Sequence, residues 1–205
     1  MKRGNRPVRV NDEVGRVEEL NLNTQGYADG SYTRPPLAFD VYRTAGNPAS
    51  ACFHMLLRVN GGADRVGVFV EQVDARLLDR WGLDPEGALY KFVNRITLTP
   101  MLSDTTDGVE KKTRLDEDRS DLQAMCDALQ QTNNPAARAA WMFDNLDLAA
   151  FANGLAARAV AVNTDDRRKN LYFYRDTRGT REWRFLPWDQ DWTFGLYGSG
   201  NNTHP

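Results

Sequence analysis

One stretch near the C-terminus limits the folds open to this chain more than any other. A helical pattern marked by Leu148, Phe151, Leu155 and Ala159 stops near Val162. A polar loop follows, Asn163-Thr164-Asp165-Asp166-Arg167-Arg168-Lys169-Asn170. Residues 171–174 and 182–186 then read as an apolar hairpin turning through Thr177-Arg178-Gly179-Thr180. The hairpin runs into a second polar loop, Pro187-Trp188-Asp189-Gln190-Asp191-Trp192-Thr193-Phe194-Gly195. Helix, polar loop, hairpin and acidic loop in this order lead us to expect Asp165 and Asp189 to face one cleft.

Asp165 and Asn170 have the D-x-x-x-x-N spacing of a protein-kinase catalytic loop, and Asp189 and Asp191 follow where a kinase places a magnesium ligand. Phosphoryl transfer needs such groups. One carboxylate orients or deprotonates the attacking hydroxyl. A second carboxylate and an amide oxygen hold magnesium, which prefers hard oxygen ligands. Asp165 is the candidate catalytic base, and Asp166 takes the role if the loop is shifted by one. Asn170, Asp189 and Asp191 are the candidate metal ligands. Each residue also has a plainer role: Asn170 can close the loop through backbone groups, and a loop aspartate can simply cap a turn.

The rest of the chain is organised as α+β. Residues 34–45 read as a helix opened by Arg34-Pro35-Pro36 and stopped by Gly46. Residues 52–60 alternate, with Phe53, Met55, Leu57 and Val59 on one face, and residues 66–73 alternate with Val66, Val68 and Val70 together. Asn60-Gly61-Gly62-Ala63-Asp64 joins them. A short helix near 74–81, a strand near 88–94 and a polar loop over 97–113 follow. Leu115, Leu122, Met125, Cys126 and Leu129 predict a helix over 114–131, and Pro135 opens another to about 143. Cys52 and Cys126 read as reduced thiols in apolar settings, with a disulfide between them left open.

Composition narrows the function. The 205 residues are 41% apolar and 26% charged, enough for a packed core. A net charge of -2 argues against nucleic-acid binding. No 18-residue apolar run spans a membrane, and no apolar stretch follows Met1-Lys2-Arg3 as a signal peptide requires. With only His54 and His204, no zinc constellation is expected.

These features together resemble the CotH (spore coat protein H) kinase family of atypical kinases. The resemblance runs from about residue 20 to 195. It is carried by Leu20-Asn21-Leu22-Asn23, Asp29-Gly30-Ser31-Tyr32-Thr33-Arg34, Arg58-Val59-Asn60-Gly61, Gly67 to Asp74, Leu89-Tyr90-Lys91, Glu110-Lys111-Lys112-Thr113 and Asn170 to Tyr174. Its most specific part is Phe185-Leu186-Pro187-Trp188-Asp189-Gln190-Asp191 with Phe194-Gly195. Thr164 stands where the family usually carries an aromatic residue, and the hairpin turn is one residue longer than expected.

The resemblance implies a mainly antiparallel sheet lobe (1–95), a helical lobe carrying a small catalytic hairpin (96–198) and a disordered tail (199–205), in one kinase-like domain incomplete at both ends. A domain cut there would expose apolar surface on its helical part. The resemblance further implies ATP and Mg2+ as cofactors, a Ser/Thr-rich protein substrate, and a spore-coat, cell-surface or secreted setting. Lys91 is the candidate phosphate-binding cation, with Glu71 as its partner. Arg34 either binds phosphate or pins the fold. Trp188 either stacks on adenine or belongs to the core. The runner-up function is a coat or surface attachment module that keeps the fold without catalysis, and a third is a non-catalytic structural fragment.

Overall fold

A computed structural model describes residues 8–23, 30–93, 108–165 and 169–195. The expectations that fall on Asp166, on residues 94–107 and on the 199–205 tail lie outside the described residues. The described chain mixes helices with antiparallel sheets, as expected for α+β. In order, it forms β1 (Val8–Arg9), β2 (Arg16–Val17), β3 (Asn21–Asn23), α1 (Arg34–Thr44), β4 (Cys52–Leu57), β5 (Arg65–Val70), α2 (Ala75–Arg80), β6 (Ala88–Phe92) and β7 (Val109–Lys111). The remaining elements are α3 (Ser120–Leu129), α4 (Pro135–Asn145), α5 (Leu148–Ala161), β8 (Leu171–Arg175) and β9 (Trp183–Pro187).

Local chemistry explains most of these boundaries. Pro35 and Pro36 occupy the first turn of α1, where a missing N–H costs nothing. Gly46 ends it with φ +82°, its N–H bonding the Arg43 carbonyl while Asn47 N–H reaches Tyr42. That is a Schellman ending, and it is the role expected of Gly46. Asp74 caps α2 by accepting from the N–H groups of Arg76 and Leu77. Asn60 and Gly61, both at positive φ, turn β4 back onto β5.

The strands form a β1-β2 pair, a β3-β5-β4 sheet and a β7-β6-β8-β9 sheet, all antiparallel. In the three-stranded sheet, Val68 and Val70 pack on Phe39 and Tyr42 of α1. Phe53 stacks on Phe69, with centroids 4.9 Å apart, on the opposite face.

The four-stranded sheet holds most of the core. One face carries Ala88, Tyr90, Phe92 and Trp183 against Leu122 and Met125 of α3. The other carries Leu89, Tyr172, Tyr174 and Leu186 against Val73, Leu77 and Leu78. Burying apolar side chains on both faces contributes stability in proportion to the area removed from water.

Three expectations need correction. The β8–β9 hairpin is not a small sheet borne by helices: β8 pairs with β6 from Ala88↔Arg175 to Phe92↔Leu171. The stretch read as a polar loop over 97–113 contains the edge strand β7. The helix predicted from 114 begins only at Ser120, because Arg114 sits at φ +50° and binds Glu117 in a turn. Leu115, counted on the apolar face of that helix, is 74% exposed. Cys52 and Cys126 are free thiols, and burial pushes that of Cys52 up to about 12.

α5 approaches β9 most closely at Gly154. A Cβ there would meet Cζ of Phe185 at 2.1 Å. Alanine normally improves a helix interior by roughly 0.5–1 kcal/mol relative to glycine. Here overpacking, typically ~1–3 kcal/mol, outweighs it. Gly154→Ala is therefore expected to lower the urea midpoint, and an equal or higher midpoint would show that Phe185 moves aside freely.

Candidate active site

A hairpin returns the chain to its starting point, so the loops before β8 and after β9 lie side by side. α5 ends in a Schellman arrangement with Val162 in the left-handed region at φ +47°, a costly conformation for a β-branched residue. Asn170, Asp189 and Phe194 are also left-handed. Asn and Asp tolerate this backbone better than most residues. Such strain gathers where surrounding contacts over-determine the chain, as they do at functional sites.

Those contacts fasten the two loops together. Thr164 N–H bonds the Trp192 carbonyl at 3.2 Å, and Phe194 N–H bonds Ala161 at 2.7 Å. Asn170 is held on both sides: its N–H donates to Phe92 at the end of β6, and its carbonyl accepts from Trp188 N–H. Two buried amides complete the clamp. Asn163 donates from Nδ2 to Oε1 of Gln190 at 2.8 Å, and Gln190 donates from Nε2 to the Trp188 carbonyl at 2.8 Å. Oδ1 of Asn163 accepts the Asp165 N–H at 2.9 Å. Sequence reasoning missed Asn163 and Gln190 as site residues, although both lie in the quoted loops. Their signal is a pair of amides that only the fold brings together.

The clamp sets Asp165 close to the acidic pair. Oδ2 of Asp165 accepts a hydrogen bond from Nδ2 of Asn170 at 2.8 Å and pairs with the Lys169 ammonium, Nζ at 2.8 Å. Among the described residues no donor reaches Oδ1 of Asn170. Asp189 and Asp191 lie within each other's reach. Burial, more than any other cause, raises the proton affinity of both. For Asp191 the neighbouring Asp189 charge, a hydrogen bond between the two carboxyls and the Asp165 charge add to it, and its pKa is pushed up to about 7. For Asp189 the effect of burial is opposed first by Lys169, then reinforced by Asp165, and further opposed by the hydrogen bond from Asp191 and by Lys91. Asp165, Lys169 and Lys91 therefore all act on Asp189, and Asp165 acts on Asp191 as well.

The remaining candidates fall in two groups. Lys91, on β6, sits opposite Tyr172 and places Nζ 5.2 Å from the Trp188 ring and 5.8 Å from that of Tyr172. Trp188 meets Tyr172 edge-on at 5.7 Å and packs into two apolar clusters. It is only partly buried, so its core role leaves part of the ring accessible.

Glu71 does not meet Lys91. It is 4% exposed, binds Arg80 of α2, and accepts the Ala51 N–H at 2.9 Å. A buried carboxylate requires such compensation, and Arg80 provides it. Arg34 donates from Nε to the Thr193 carbonyl at 3.1 Å, tying α1 to the acidic loop. Of its two expected roles, this contact is the pinning one.

Among the described residues, no three His, Cys, Asp or Glu side chains cluster closely enough to hold a metal by themselves. Magnesium does not require such a cluster, since one or two carboxylates plus waters and substrate phosphates usually suffice. Asp189 and Asp191, joined by a hydrogen bond between their carboxyls, are two such carboxylates. Two half-buried carboxyls this close are the sort of pair whose charge a divalent cation relieves.

A sequence model of the family described as CotH kinase protein matches residues 5–204, nearly the whole chain. The chain belongs to the CotH kinase family. No curated protein matches it. Membership points to a kinase-like role. Among the described residues, no helix is long and apolar enough to cross a membrane.

Proposed function

We propose that this CotH-family chain is an ATP- and Mg2+-dependent protein kinase that phosphorylates Ser or Thr hydroxyls of coat or secreted proteins. The observation that supports it best is the clamp that puts Asp165, Asn170 and the Asp189–Asp191 pair at one end of the four-stranded sheet. In this reading Asp165 orients the substrate hydroxyl and takes its proton. Asp189, Asp191 and Oδ1 of Asn170 hold the metal. Lys91 supports the phosphates, and the accessible part of Trp188 faces the nucleotide. When bound, Mg2+ neutralises charge on the phosphates and keeps the transferred group aligned. Arg34 and Glu71 take structural parts, the first pinning the acidic loop and the second joining α2 to the 49–51 segment.

The reading is tested by thermal shift with ATP in the presence and absence of Mg2+, followed by incubation with radiolabelled ATP and a Ser-rich protein. Mg2+-dependent stabilisation together with label in protein is the expected result. Stabilisation by neither nucleotide nor metal would leave attachment without catalysis as the better account.

A further inference from the structure

The geometry around Asp165 separates its two carboxylate oxygens. Nδ2 of Asn170 donates to Oδ2, and Nζ of Lys169 forms an ion pair with that same oxygen. Among the described residues nothing donates to Oδ1. The Asp165 N–H is itself tied to Asn163, so backbone and carboxylate are both fixed. The amide brings a directional hydrogen bond but no charge of its own, whereas the ammonium adds a full positive charge beside the same oxygen. The Lys169 ammonium also acts electrostatically on Asp189.

We propose that Lys169 is a positioning residue for phosphoryl transfer: with Asn170 it holds Oδ2 of Asp165 and leaves Oδ1 to receive the substrate hydroxyl. The inference rests on the kinase reading above. In the step it serves, the hydroxyl oxygen bonds to the γ-phosphorus as the bond from that phosphorus to the β,γ-bridging oxygen breaks. ADP departs with the electron pair of that bond, and the hydroxyl proton passes to Oδ1. Without Lys169 the carboxylate can turn about its Cβ–Cγ bond, and the accepting oxygen leaves its place. Small misplacements of this kind are costly in rate and cheap in binding.

The test uses Lys169→Met and Lys169→Arg in the full chain. The Lys169 side chain is 37% exposed, so neither change opens the core, and thermal transitions serve as the check. Lys169→Met is expected to lower kcat on the order of 10- to 100-fold while leaving the calorimetric Kd for MgATP within about twofold. Lys169→Arg, which keeps a charged donor for Oδ2, should recover most of kcat. If Lys169→Met instead weakens MgATP in proportion to its lost activity, Lys169 binds phosphate, and the positioning role is overturned while the kinase reading stands. If the wild-type chain neither binds MgATP nor transfers phosphate, the kinase reading falls and takes this inference with it.

Discussion

Asp165→Asn and Asp189→Asn should lose phosphoryl transfer alike but part company in nucleotide binding. In the proposed reading Asp165 would contribute an oxygen to the hydroxyl and none to the metal, so its amide variant should keep the acidic pair, Asn170 and Lys91 in place. Losing a positioned general base costs typically ~10²–10⁴-fold in rate. ATP affinity should remain near wild type, because the interaction removed is one made in the transition state. Asp189→Asn removes one of the two half-buried carboxylates proposed to hold the metal, and Mg2+ would then find a single charge. Nucleotide affinity should become nearly independent of magnesium. Calorimetric titration of ATP with and without Mg2+, alongside radiolabel transfer, checks both variants. Equal loss of binding in the two would refute the division of labour, and Mg2+-dependent affinity preserved in Asp189→Asn would remove Asp189 from the metal site.

A second large effect is expected in the pH dependence of stability. Asp191 titrates near 3.8 in an unfolded chain, but burial and the neighbouring Asp189 push it up to about 7 in the fold. The folded state therefore holds a proton that the unfolded state has released. Over the window between those values folding binds protons, so stability of the metal-free protein falls as pH rises from 4 towards 7 and levels off above. A bound divalent cation replaces that proton, so stabilisation by Mg2+ should grow across the same window. Tm measured from pH 5 to 8, with and without Mg2+, should show both trends, and Asp191→Asn should flatten them. Parallel curves for wild type and variant would mean that Asp191 does not hold the proton.

Much of the architecture is legible in the chain because local chemistry decides it. The proline pair opening α1, the glycine ending it and the alternation of β4 are each settled by neighbours within a few residues. So is the hairpin that separates Asn170 from Asp189. What escapes a linear reading is set by partners far along the chain. Glu71 looks like a mate for Lys91, yet its burial beside the Ala49–Ala51 segment makes Arg80 the nearer cation. Leu115 falls in helical step with Leu122, but the charged run from Asp116 to Arg119 between them is spent in a turn that Lys111 and Arg114 hold. Asn163 and Gln190 look like ordinary loop residues until the hairpin puts them face to face.

The bond from Arg34 to Thr193 joins residues 159 apart in the chain. It and the bonds from Thr164 and Phe194 hold the acidic segment in place of a strand ladder. Ladders inside a packed sheet open only with global unfolding, whereas segments fastened by a few irregular bonds open locally and at lower free energy. Amide hydrogens of residues 189–195 should thus exchange with solvent sooner than those of β6 and β8. Foldedness and competence are separable quantities in such a molecule. On warming, the loop carrying the acidic pair would come loose while the sheets were still intact.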